Sequence, residues 1–159
     1  MIQAIRETNF EAYIETEAQR INTTVTSAHI RHLVKFTNDL NGAEFYAYAT
    51  TETINNRYTK LEFTYDTADI YTGKLKLIPA GFYTYELYEV SWIGSVTMSL
   101  GNAPATETDV LTPAADTKGI VQGLVAIGIL YLKEKSGSEE VQYTEYTAPA
   151  STNTIYYGQ

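Results

Sequence analysis

His29 and His32 are the only imidazoles in the chain, and they stand three positions apart. The segment "HIRHLVKF" (29–36) reads as a strand, where side chains alternate between faces. A spacing of three therefore sends the two rings to opposite sides and denies them a shared metal ion or proton. No cysteine is present, which removes thiol nucleophiles, thiolate metal sites and disulfides together. Carboxylates are plentiful, but Glu86 with Glu89, Glu139 with Glu140, and Asp66 with Asp69 read as a solvated acidic surface. A glycosidase would need two carboxyls placed in a cleft, and a chain this short has little scaffold left to build one. No G-x-S-x-G elbow marks a nucleophile, and "DTAD" lacks the alternating oxygen ligands of an EF-hand. The glycines at 119, 123 and 128 match neither a dinucleotide-binding nor a phosphate-loop spacing. The expectation is a protein that is not an enzyme, with no catalytic residue, no metal and no cofactor.

The elements that would have positioned such residues are β-strands. Fourteen tyrosines, five phenylalanines and 23 threonines suit a pleated, half-buried surface, and long helical runs of Leu, Ala, Glu and Lys are missing. At 159 residues and 44% hydrophobic content the chain can bury one good core. A net charge of −8 and a pI near 4.7 oppose direct binding to nucleic acid, which needs clustered Lys and Arg. No window reaches the roughly 18 apolar residues of a membrane span, and "MIQAIRETNF" lacks a secretory pattern, so a soluble protein made in a cytoplasm is expected, with no membrane partner.

Strands are predicted at "HIRHLVKF", "AEFYAYAT" (43–50), "RYTKLEFTY" (57–65) and "KLKLIP" (74–79), separated by turn formers such as "TNDLNG". "GFYTYELYEV" (81–90) sets Phe82, Tyr83, Tyr85 and Tyr88 close together, with bulk on both faces, as in a central strand. In "LKLIPAGFYTYELYE" a strand stops, a glycine permits a bend, and a tyrosine opens the next strand. This resembles the corner of an immunoglobulin-like sandwich, with Tyr83 as the corner tyrosine. "GLVAIGILYLKEK" (123–135) supplies the longest apolar run and predicts a strand buried on both faces.

The resulting expectation is all-β: an immunoglobulin-like antiparallel β-sandwich over 29–134, with an N-terminal extension over 1–28 and a C-terminal linker and Tyr-rich arm over 135–159. The excursion "NAPATETDVLTPAADTKG" (102–119) is long enough to bind something or dock on a neighbour. Disordered tails usually lack aromatics, so Tyr143, Tyr146, Tyr156 and Tyr157 in the tail point to assembly contacts, as do Phe10 and Tyr13 in the N-terminal segment.

"FTNDL" (36–40), "RYTKLEFTY", "GFYTYELYE" and "GILYLKE" (128–134) together resemble the small β-rich virion structural proteins of tailed bacteriophages, especially those infecting Bacteroidetes hosts. The resemblance covers about residues 29–134. It implies a capsid-decorating, neck or tail-associated component of the virion whose partners are other virion proteins and copies of itself. The alternative expectation is a carbohydrate-binding or adhesive module in which Trp92 and Tyr88 stack on sugar faces.

Overall fold

A computed structural model of the protein describes residues 1–136. Nine strands follow one another: β1 (Ile2–Ile5), β2 (Phe10–Ile14), β3 (Ile30–Asn38), β4 (Glu44–Tyr48), β5 (Thr51–Ile54), β6 (Thr59–Tyr65), β7 (Lys74–Leu75), β8 (Gly81–Ser91) and β9 (Ile120–Lys133). Two short 3-10 turns, Glu17–Gln19 and Ser27–His29, interrupt the link from β2 to β3. The chain is all-β. One sheet has the order β1-β9-β8-β3-β4, and the other is β2-β6-β5, with β7 beside the end of β6.

Both sheets are mixed, which corrects the expectation of a purely antiparallel sandwich. β1 runs parallel to the last four residues of β9, and β7 parallel to the last two of β6. The N-terminal segment is likewise no extension. β1 completes one edge of the larger sheet while β2 pairs β6 from Phe10↔Phe63 to Ile14↔Thr59, so the first 14 residues stitch both sheets into one body. Their short, weakly apolar strands gain their conformation from pairing with distant partners, not from their own pattern.

The period-2 pattern decides what faces inward. On β3, Val34 and Phe36 point the same way as their β8 partners Leu87 and Tyr85, and Leu130 and Leu132 of β9 join them. Ala12, Ile14, Leu61 and Phe63 of the second sheet close over this face. Phe63 sits at the centre, stacked on Phe10 at 5.0 Å between ring centroids and met edge-on by Phe36 at 5.7 Å. The opposite face of the larger sheet holds a second cluster of Leu33, Tyr48, Val90, Trp92 and Ala103. β8 is thus the central strand with both faces covered, which accounts for its density of rings.

Tyr83 is fully buried, opposite Asn38 and Leu130, and its hydroxyl donates to the Pro79 carbonyl at 2.5 Å. Tyr85 lies across Gly128, its register partner: a Cβ there would come within 2.5 Å of the Tyr85 Oη. Gly128→Ala should therefore destabilise the fold by about 1–3 kcal/mol through overpacking. Urea denaturation followed by the fluorescence of Trp92 measures it, and an unchanged midpoint would show that the ring does not occupy that space.

Candidate functional site

At one end of the inner core the apolar pattern gives way to charge. His32 and Glu89 are register partners on β3 and β8, and both are buried. Glu52 reaches across from β5: its carboxylate lies 2.7 Å from His32 Nδ1 and accepts the His32 backbone N–H at 3.1 Å. The Glu89 carboxylate accepts the backbone N–H groups of Ile21 and Asn22 at 2.9 and 2.7 Å. Ser91 Oγ receives Asn22 Nδ2 and Gln122 Nε2. Every group in this plug has its partner inside the protein, and the His32 and Glu52 side chains are only 3% exposed. The arrangement pins the 20–22 segment and β5 to the larger sheet, since a buried polar group is tolerated only when hydrogen-bonded. His29 lies outside the strand, in the 3-10 turn before β3, so alternation within one strand does not relate the two imidazoles. Among the described residues no group of three or more His, Asp or Glu could hold a metal ion.

The outer face of the larger sheet carries a second polar constellation. Lys35 Nζ sits 2.9 Å from Glu107, 3.0 Å from Glu44 and 3.9 Å from Glu86. Its hydrogen bond with Glu107, then that with Glu44, holds the ammonium well above the usual lysine range against the opposing effect of burial. Burial pushes the Glu107 carboxyl up, but the hydrogen bonds with Lys35 and Tyr46, a backbone hydrogen bond and the Lys35 charge together outweigh it and hold this group below the usual carboxylate range. Asp109 behaves alike: burial raises it, and hydrogen bonds from the Ala105 and Thr106 N–H groups and the Thr106 hydroxyl lower it further. Tyr48 adds a bond from its hydroxyl to the Pro104 carbonyl at 2.8 Å. The 102–119 excursion is therefore clamped onto its own sheet.

That clamp settles the geometry of the sugar-stacking candidates. Trp92 is fully buried, its Nε1 donates to the Asn102 carbonyl at 3.3 Å, and a Cβ on Gly119 would lie 2.6 Å from its ring. The ring is enclosed by the excursion and presents no face for a sugar, which corrects the expectation for this residue. Tyr88 is half-buried against the same cluster, its hydroxyl 3.2 Å from Glu86. Of the N-terminal assembly candidates, Phe10 belongs to the core, while Tyr13 is 58% exposed on β2, edge-on to Tyr58. Tyr143, Tyr146, Tyr156 and Tyr157 lie outside the described residues.

The most distinctive surface is one that sequence reasoning missed. β9 is not buried on both faces: Leu124, Ile127 and Ile129 are exposed, Ile127 by 61%. β8 pairs one side of β9 along its length, but β1 covers only Leu130 to Lys133 on the other. Among the described residues no strand pairs the remaining side of residues 120–129, "IVQGLVAIGI", which hold no charge and no proline. Beside its start, Ile93, Val110, Leu111 and Ile120 line an apolar groove of about 360 Å³. The lack of charge was visible in the sequence, but an apolar run of this kind reads equally well as a strand covered on both faces.

Comparison with known proteins finds no matching family model, no matching curated protein and no matching solved structure.

Glu107 and Asp109 both have carboxyl groups depressed in the folded chain, so their contribution to stability is fully present above the unfolded carboxylate range, near pH ~4, and is lost as pH falls through their folded values. Acid titration should loosen the excursion and move Trp92 emission to the red below about pH 4. Glu107→Gln should lower stability at pH 7 by about 0.5–1 kcal/mol and flatten the acid dependence. A variant with the wild-type pH profile would contradict the clamp.

Proposed function

We propose that this protein is a non-enzymatic structural component of a tailed-phage virion, a capsid-decorating, neck or tail-associated protein assembled in many copies through sheet edges and terminal segments. The observation that carries the reading is the open half of β9. A long uncharged edge is a template for pairing with another chain, and a protein that keeps one is built to have it covered. The other edge strands are short: β4, β5, β2 and β1 hold four or five residues each. The exposed Leu124, Ile127 and Ile129 on the same strand supply the apolar contact that an interface needs at its centre. The resemblance of residues 29–134 to virion proteins supports the same assignment, and an immunoglobulin-like sandwich is the finer fold we infer, on the strength of the Tyr83 to Pro79 corner bond.

Partners are then other virion proteins and further copies of this chain. Lys35, Lys60 and Lys74 are each engaged by carboxylates, which favours protein contacts over a phosphate backbone. The carbohydrate-binding alternative loses its principal stacking residue with the burial of Trp92.

Quantitative mass spectrometry of purified particles from a lysate containing this gene tests the proposal. The chain is expected at a fixed ratio to the major capsid protein, many copies indicating the shell and about a dozen the neck or tail. Its absence from the particle would overturn the reading.

A further inference from the structure

We propose that the open half of β9 receives residues 139–148 of a second copy as an added strand. The slot is ten residues long, 120–129, about 33 Å of extended chain. It is bounded at one end by β1, whose Ile2 stands opposite Leu130, and at the other by the apolar groove of Ile93, Val110 and Leu111 beside Ile120. An added strand would find backbone hydrogen bonds along the edge and apolar contact with Ile127 and Ile129 beside it.

The occupant follows from the chain beyond the described residues. The chain continues past the end of β9 at Lys133, and "EEVQYTEYTA" (139–148) is ten residues without glycine or proline, with two Tyr, two Thr and one Val beside three Glu, and stopped by Pro149. Its length matches the slot, and its Val, Tyr and Thr are residues that suit an added strand. A second copy is favoured because a tight hairpin from Lys133 would return along residues 130–133, and β1 already fills that place. The segment of a neighbour needs no such turn. Direct pairing of two β9 strands fits less well. Register shifts against β8 between Leu87 and Tyr88 and between Glu89 and Val90 bend β9 at the middle of the slot. An added segment follows such a bend more readily than a strand fixed inside its own sheet.

The chain has no cysteine, so introduced thiols report without background. Leu124→Cys protein is mixed with Tyr143→Cys protein, and separately with Thr144→Cys protein so that both faces of the added strand are sampled, under mild oxidation. Leu124 is exposed, and its replacement leaves the core intact. A disulfide-linked dimer joining the two different variants is expected in at least one mixture, since paired strands bring Cα atoms within bridging distance. A dimer formed by Leu124→Cys protein alone would show β9 pairing with β9 and overturn the proposal. So would a bridge closed within one chain of a Leu124→Cys, Tyr143→Cys double variant, or no bridge in any mixture. The inference rests on the assembly reading, but the two fail separately. A chain found in particles without this cross-link loses only the occupant, and a cross-linked chain absent from particles loses only the virion role.

Discussion

A strand in the middle of a sheet must satisfy its backbone on both sides and cover both of its faces, and β8 is where this chain meets that requirement. β3 and β9 pair its two sides, the second sheet covers Tyr83, Tyr85 and Leu87, and the excursion from 93 to 119 covers Val90 and Trp92. Each cover then needs its own fastening. The second sheet is held by the phenylalanine cluster and by the Glu52 to His32 contact, the excursion by Lys35, Tyr48 and Trp92. These polar fastenings are hydrogen-bonded within the protein, because a buried polar group left without a partner costs more than the packing it replaced.

β9 inherits half of this arrangement. Its inner face shares the core of β8 through Val125, Leu130 and Leu132, but its outer face is left uncovered beyond the reach of the excursion, and most of one side has no strand beside it. What makes the strand a partner of β8, an uncharged, largely apolar run with a glycine at 128 to admit the Tyr85 ring, also leaves its free side without the charges that guard a sheet edge. Under the proposed assembly, fold and partner binding are two demands placed on the same ten residues.

The parts of this organisation that depend on local pattern were legible in the sequence. β3, β6 and β8 announce themselves by alternation, and the central position of β8 by bulk on both faces. Features that arise from distant pairing were not. β1 and β2 are too short and too weakly apolar to be read as strands before their partners are known. The pairing of Glu52 with His32 depends on where two sheets meet, which no spacing along the chain encodes. Trp92 reads equally as a core residue or an exposed platform until the excursion is seen to close over it, and the apolar run of β9 gives no sign of which face is covered.

The central claim is that the free side of β9 is an assembly edge, and amide hydrogen exchange tests it most directly. Comparing the assembled protein with a chain truncated after Ser136, the account predicts slow exchange along residues 120–129 in the assembly. Protection should then be lost on truncation at those amides there that β8 does not bond, while β3 and β8 remain protected. Fast exchange at those amides in the assembled protein, or protection that survives truncation, would contradict it.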